Sequence, residues 1–190
     1  ENQSEEVPLG PIQVGVVYNL KHAERSRSAA PDDQAEYDSM DTVLAIEQAL
    51  QRHGCRTILL EADEAAGETP QARPDFVFNI AEGHGGRARE AQVPALLSLF
   101  DIPYTGSDET TLCIALDKAL TKRLLATYRI PTPRYRVYEP GERIRTTGLR
   151  FPVIVKPNAE GSSKGIADVC IAEQAGELKS LVERQIALYG

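Results

Sequence analysis

An almost uninterrupted apolar run near the start of the chain, Ile12–Tyr18, strongly limits the folds that this sequence can adopt. Its β-branched residues predict a strand, and the lack of polar alternation predicts that the strand is buried. Similar short runs follow at Arg56–Leu60 and Asp75–Ile80, with helical patterns at Ser39–His53 and Glu90–Phe100. Crossovers of this length join parallel strands. The pattern therefore predicts an α/β fold with an open parallel sheet and flanking helices.

Smaller signals refine this first region. Gly54 stands where a helix C-terminal cap belongs, and Pro94 falls in the first turn of its helix. The polar stretch Lys21–Gln34 is predicted to be a mobile loop. A short extended segment at Ile102–Tyr104 then closes the region near Ser107.

A second, smaller α+β unit is predicted after this point. The domain boundaries that we predict are a flexible tail at 1–11, an α/β domain at 12–107 and a second domain at 108–190. The elements predicted for the second domain are a single helix at Thr110–Tyr128, strands at Tyr135–Tyr138, Phe151–Lys156 and Ile166–Ala172, and a helix at Glu173–Leu188. The last two strands are expected to form an antiparallel hairpin.

Composition narrows the functional classes. The net charge is −7, and no basic cluster is visible, so a nucleic-acid partner is not expected. No apolar run reaches the length of a membrane span, and the acidic first ten residues do not resemble a signal peptide. Three widely spaced cysteines (Cys55, Cys113 and Cys170) argue against disulfides or a zinc site and for a reducing cytoplasm.

The segment Phe151–Ile166 carries the clearest chemical signal. A strand delivers Lys156 at its end, and the small-residue loop Glu160–Gly165 follows. Glycines permit close approach to a ligand, successive N–H groups and hydroxyls can surround a phosphate, and a loop lysine supplies compensating charge. A hairpin turn chosen only for its turn chemistry explains the same letters. Neither a P-loop nor a GxGxxG fingerprint is present.

Five motifs in a fixed order add to this signal: YTGSD, LDKALTK, IPTP, FPVIVKP and EGSSKGI. Together they resemble D-alanine–D-alanine ligases and their ATP-grasp relatives, from Ile12 to the end and most closely over Ile102–Ile166. The resemblance implies a pre-ATP-grasp domain followed by part of an ATP-grasp domain. It also implies an ATP-dependent carboxylate–amine ligase that joins two amino acids through an acylphosphate, in peptidoglycan or dipeptide synthesis. The expected cofactors are ATP and Mg²⁺, and the expected partners are amino-acid substrates and a second copy in a homodimer.

The resemblance also assigns residues. It implies that Lys118 and Lys156 contact the nucleotide, that Ser163 contacts phosphate, and that Ser162 lies near the amino acids as the candidate catalytic residue. Gly161 and Gly165 complete the cofactor-binding loop. A solvated helix face is the alternative for Lys118, and it is the favoured interpretation for Lys122.

The chain departs from the family pattern on the side of the first substrate. Glu36 is the nearest candidate for a missing glutamate that holds an ammonium group, although the helix dipole equally explains an acidic residue there. The loop Asn79–Glu90 replaces the usual His-Gly element. It offers three candidate substrate ligands, Glu82, Arg87 and Arg89, together with the less specific His84. The alternative for the arginines is an exposed loop that pairs with Glu82 or Glu90.

The expected magnesium ligands, adenine hinge and catalytic arginine of the family would lie beyond Gly190. The sequence is therefore expected to be an incomplete N-terminal fragment, inactive alone, and no metal ligand is assigned within it. A non-catalytic ligand- or partner-binding module derived from such a ligase remains the alternative. An unrelated Rossmann-like domain is disfavoured by the missing glycine fingerprint.

Overall fold

The computed structural model describes residues 10–22, 30, 32–62, 71–166 and 170–189. Most of the predicted tail, part of the predicted loop after Lys21 and residues 167–169 of a predicted strand lie outside these ranges. The chain divides into two compact units. The first unit comprises residues 1–21, 37–84 and 90–109, and the second comprises 22–36, 85–89 and 110–190. Two short segments that precede residue 107 in sequence thus group with the second unit.

The first unit is built on a three-stranded parallel sheet with the strand order β2-β1-β3. Its elements are β1 (Gln13–Tyr18), α1 (Met40–Arg52), β2 (Arg56–Glu61), β3 (Phe76–Asn79) and α2 (Gln92–Leu99). A parallel bridge from Val77 to Tyr104 adds the predicted short extended segment to the sheet edge. The predicted parallel α/β architecture is confirmed.

The central position of β1 explains its unbroken apolar sequence. Val16 packs on one face against Val43 of α1, while Val17 packs on the other face against Leu97 of α2. Because successive side chains of a strand point to opposite faces, a strand covered on both sides needs apolar residues at every position.

The helix boundaries follow from local chemistry. Ser39 caps α1 by accepting a hydrogen bond from the Thr42 N–H at 3.3 Å, and Gly54 follows the helix with φ +83°. A single 3₁₀ turn, Arg89–Ala91, precedes α2, and Pro94 lies in the first turn of that helix as predicted.

The second unit consists of three helices and a small antiparallel sheet. These elements are α3 (Glu109–Leu116, shared with the boundary), α4 (Lys118–Thr127), β4 (Val153–Ile154), β5 (Ile171–Ala172) and α5 (Ala175–Tyr189). One face of the sheet packs on α5 through Ala172, Leu178 and Val182. The predicted antiparallel pairing and terminal helix are confirmed, although the strands are shorter than predicted.

The prediction of one continuous helix over Thr110–Tyr128 is wrong. The helix stops at Leu116, Asp117 takes an extended conformation with ψ 100°, and a new helix starts at Lys118. The Asp117 carboxylate accepts the Leu120 N–H at 2.8 Å, which is the bond that an N-cap residue makes. A favourable cap therefore overrides helical periodicity at this residue.

The predicted strand at Tyr135–Tyr138 is also wrong. This segment is attached through side chains rather than a backbone ladder, because Arg136 donates to the Thr147 carbonyl and Tyr138 to the Arg145 carbonyl. Among the described residues, no helix is both long and apolar enough to cross a membrane.

Candidate functional site

In the first unit, the loop that follows β3 (residues 80–84, the Asn19 loop) is held by one buried amide. Asn19 directly follows β1 and is 2% exposed. Its Oδ1 accepts the backbone N–H groups of Glu82 and Gly83 at 2.8 and 2.9 Å, and its Nδ2 donates to the Ala62 carbonyl at 2.6 Å. The carboxyl ends of neighbouring parallel strands are thus joined by a neutral side chain.

His84 completes this loop. Its Nε2 lies within hydrogen-bonding distance of the Ala62 carbonyl oxygen, which favours the tautomer protonated at Nε2. The Tyr37 hydroxyl lies 3.3 Å from Nδ1 on the other side of the ring, and Gln92 makes two hydrogen bonds to the His84 backbone. His84 is exposed, but the contacts of its ring and its backbone hold the loop in place.

In the second unit, the loop after β4 (residues 157–165, the Gly–Ser loop) is attached to the start of α4. Asn158 joins the two, because its Nδ2 donates to the Asp117 carboxylate at 2.9 Å while its Oδ1 accepts the Ala119 N–H at 3.0 Å. Burial opposes ionisation of Asp117, but hydrogen bonds from Leu120 and Asn158 outweigh it and lower its pKa. Two motifs that are forty residues apart therefore form one polar centre.

Lys118 and Lys156 are the two cations at this centre. The Lys118 ammonium donates to the carbonyl oxygen of Glu160, a neutral acceptor. Burial lowers the pKa of Lys118, and the nearby positive charge of Lys156 lowers it further, with partial opposition from Glu160. Within the described part of the chain, neither lysine forms a salt bridge. The charges of Glu160 and Glu36 nevertheless act on Lys118, so the positive charge of this pair is partly, not fully, offset.

The Gly–Ser loop has an unusual backbone. Ser162 and Ser163 both have positive φ, at 44° and 61°, and both are exposed. Gly165 has φ +71°, and a Cβ there would lie 2.6 Å from the Pro157 ring. Only glycine fits that close approach, whereas the serines adopt the left-handed region at an energetic cost.

The C-terminal end of this loop is fastened by Asp32. One carboxylate oxygen accepts the Gly165 N–H at 2.7 Å, and the other accepts the Tyr189 hydroxyl of α5. Burial opposes ionisation of Asp32, but the hydrogen bonds from Tyr189 and Gly165 outweigh it and lower the pKa. Burial, followed by the contact with Asp32, raises the pKa of Tyr189 to about 12.

Four ionisable side chains form a buried network that contacts the loop at Gly161. The guanidinium of Arg89 binds both oxygens of Glu36 at 2.8 Å and contacts Glu160 at 3.2 Å. Lys164 lies 2.7 Å from Glu160 and 3.7 Å from Glu36. Lys164 is thus paired with carboxylates inside the protein.

Comparison with known proteins gives a consistent family. A protein of Sinorhizobium fredii, described as "Uncharacterized protein y4sG", is 35% identical over 158 residues, which cover 78% of this chain and 45% of that protein. The D-alanine–D-alanine ligase of Aquifex aeolicus is 36% identical over 143 residues, which cover 74% of this chain and 47% of the ligase. No protein-family model matches the chain.

A solved structure has the same fold. The crystal structure of the D-alanine–D-alanine ligase of Bacillus anthracis complexed with ATP superposes with a TM-score of 0.70 at 22% identity. The alignment covers 92% of this chain and 55% of that one. The chain is D-alanine–D-alanine ligase-like. It spans about half the length of the curated relatives that it matches.

For this ligase-like chain, the structure groups the sequence-predicted site residues by unit. Glu82 and His84 belong to the Asn19 loop of the first unit. The other candidates lie in the second unit, and they are Glu36, Arg87, Arg89, Lys118, Lys156, Gly161, Ser162, Ser163 and Gly165. Arg87 pairs with Asp117, and Arg89 pairs with Glu36 and Glu160. The contacts of both arginines with a substrate stay predictions.

Three residues that organise these loops, Asn19, Asp32 and Asn158, are not among the sequence-predicted site residues. A buried polar residue directly after an apolar strand is a usable signal for Asn19, because such a group needs partners. Lys122 donates to the Pro133 carbonyl and lies 5.3 Å from the Tyr135 ring centre, which agrees with its interpretation as a structural surface lysine.

Proposed function

We propose that the second unit binds the phosphates of ATP, and that the protein is an ATP-dependent carboxylate–amine ligase joining two amino acids through an acylphosphate. The observation that supports this proposal most is the pair Lys118 and Lys156 beside the Gly–Ser loop, neither of which forms a salt bridge among the described residues. Burial and then the charge of Lys156 lower the pKa of Lys118, and a bound anion would oppose this shift. A polyphosphate is such an anion.

The loop geometry fits the same ligand. Within the described residues, the backbone N–H groups of Ser162 and Ser163 donate to no protein acceptor, and both residues are exposed. We propose that these N–H groups and the serine hydroxyls bind phosphate oxygens while Lys118 and Lys156 offset their charge.

In the proposed reaction, ATP supplies the leaving group that turns an unreactive carboxylate into an acyl donor. The residues of this chain are proposed to have three tasks. They hold the phosphates, they offset the charge that develops on transfer, and Ser162 contacts the amino acids. Glu82 and Arg87 stay predicted contacts of the first amino acid.

A direct test is calorimetric titration of the 190-residue chain with ATP, with and without magnesium. Lys156→Ala and Lys118→Ala are each expected to weaken binding at least about tenfold, since each removes a charge-assisted contact. Lys179→Ala removes an exposed lysine whose ion pair, among the described residues, is with Glu183 at 3.7 Å, and this variant is expected to bind ATP as the wild type does. Equal affinity in all four proteins would remove the proposed phosphate site.

The ligase reaction requires a separate assay. The full gene product would be supplied with ATP, magnesium and a panel of D- and L-amino acids, and phosphate release would be measured. Stimulation by a D-amino acid supports the proposed reaction and identifies the substrate. ATP binding without stimulation by any member of the panel would favour the non-catalytic binding module.

A further inference from the structure

Four side chains that have no task in the proposed reaction form a buried network: Glu36, Arg89, Glu160 and Lys164. It contains two carboxylates and two cations, and the side chains of Glu36 and Arg89 are 2% and 6% exposed. Opposite charges at this burial need partners with good geometry, which the fork of Arg89 on Glu36 supplies. The network is therefore balanced in itself, in contrast to Lys118 and Lys156.

The partners of this network lie on the Gly–Ser loop. Glu36 accepts the Gly161 N–H at 2.8 Å, and Arg89 donates to the Ala159 carbonyl at 2.8 Å. Glu160 and Lys164 are themselves loop residues. The network thus contacts the loop through both backbone and side chains, immediately before and after the two serines.

The serines are the part of the loop that needs such support. Two consecutive non-glycine residues with positive φ persist only where the surroundings hold them in that conformation. Gly161, on one side, is held by Glu36, and Gly165, on the other, is held by Asp32. A loop released at Gly161 would relax toward ordinary backbone angles and turn its exposed N–H groups away from a common ligand.

The guanidinium of Arg89 already has protein partners, which argues against direct binding of the amino-acid substrate. Its Nε and Nη2 bind Glu36, its Nη1 binds Ala159, and Nη2 also reaches Glu160. A substrate carboxylate would have to displace a buried carboxylate that already makes a bidentate pair. Both oxygens of Glu36 are likewise engaged, by Arg89 and by Gly161.

We infer that Arg89 is a positioning residue that acts through Glu36 and Glu160 to hold Ser162 and Ser163 in their phosphate-binding conformation. Glu36 belongs to the same device and is not a ligand of the substrate ammonium group. This inference rests on the proposed ATP site, because it explains how that site is prepared before the nucleotide arrives.

The test combines hydrogen exchange of the loop with ATP affinity, both measured on the 190-residue chain without any amino acid. The variants are Arg89→Lys, which keeps the charge but not the fork, and Glu160→Gln, a change at a partly exposed position. Each is expected to speed amide exchange within residues 157–166 and to weaken ATP binding, by about tenfold for Arg89→Lys. Arg89→Met is expected to have a larger effect, and Lys179→Met serves as the control.

The outcomes separate the roles. Faster exchange confined to the loop, with weaker ATP binding, supports positioning. Unchanged exchange and affinity in Arg89→Lys and Glu160→Gln would contradict it, and so would faster exchange spread evenly over the second unit, which indicates a general structural role. If the wild type binds no ATP but the loop still loosens in both variants, positioning of the loop stands and the proposed nucleotide site fails. If Arg89→Met does not fold, the two milder variants still decide the question.

Discussion

In both the Asn19 loop and the Gly–Ser loop, side chains accept backbone N–H groups, but the acceptors differ in charge. Each follows a strand, and each carries backbone N–H groups that need acceptors. In the first unit a neutral amide accepts two of them, at Glu82 and Gly83. In the second unit carboxylates do so, at Gly161 and Gly165.

The difference follows from what each loop faces. A neutral amide adds no charge to its loop. Carboxylates bring charge that must itself be balanced, as Arg89 and Lys164 balance Glu36 and Glu160. Among the described residues, Lys118 and Lys156 take no part in these ion pairs. The Gly–Ser loop thus carries its own compensated ionic framework.

The largest expected effect comes from removing the neutral acceptor. Asn19→Leu leaves the buried N–H groups of Glu82 and Gly83 without an acceptor, and each unsatisfied group costs about 1–3 kcal/mol. We expect the free energy of unfolding of the first unit to fall by about 3 kcal/mol, measured by denaturant titration. Hydrogen exchange of the Gly–Ser loop should stay unchanged.

Gln48→Leu makes the same chemical change at an exposed position of α1 and should leave the unfolding free energy within about 0.5 kcal/mol of wild type. If Asn19→Leu resembled this control, the neutral loop would not depend on its amide and the comparison would fail.

A smaller effect is expected from Gly165→Ala in the second loop. The new Cβ would lie 2.6 Å from the Pro157 ring, at a residue with φ +71°. Strain and overpacking together should cost about 2 kcal/mol, measured by thermal or urea unfolding. Gly176→Ala is the matched control in α5, where a Cβ has no neighbour within 4 Å. It should stabilise the helix by about 0.5–1 kcal/mol, so two identical substitutions should differ in sign.

Tyr189→Phe tests the hydrogen bond behind the Gly165 anchor. It removes the phenol that donates to Asp32, at an expected cost of about 1 kcal/mol. The tyrosine titration near pH 12 should disappear from the ultraviolet difference spectrum. Tyr128→Phe, at a side chain that is 72% exposed, should change neither the stability nor that titration. If Tyr128→Phe lost the titration near pH 12 instead, the raised pKa would belong to Tyr128 and not to Tyr189.

The smallest effect is a difference in acid response between the units. Net hydrogen bonding lowers the pKa of Asp32 and Asp117 below 3.8, so their stabilisation is complete above that value and is lost as the pH falls through the lowered values. In the first unit, burial raises the pKa of Asp38 above 3.8, with partial opposition from Lys21. Protonation of Asp38 therefore relieves a cost as the pH falls.

Hydrogen exchange, corrected for intrinsic rates and followed from pH 5 to pH 3, should show the Gly–Ser loop loosening before the residues around Asp38. Equal loosening of both regions would show that the contrast between neutral and ionic anchoring has no consequence for stability.

Much of the fold was predictable because its signals are local. The apolar run of β1, the cap at Ser39 and the glycine after α1 each act within a few residues, and their elements were placed within one or two positions. The errors arose where a side chain competed with periodicity: Asp117 capped a new helix within a helical pattern, and Arg136 and Tyr138 bound carbonyl groups where a strand ladder was expected.

The sequence by itself determined the parallel sheet, the antiparallel pair and the motif order that indicates a ligase-like chain. It also indicated four candidate ligand-binding residues: Lys118, Lys156, Ser162 and Ser163. Only the tertiary structure decided which charges are balanced inside the protein, because Glu36, Arg89 and Glu160 come from segments separated by 53 and 71 residues. Whether a charged side chain binds a ligand or another side chain depends on such distant neighbours. No local pattern encodes them.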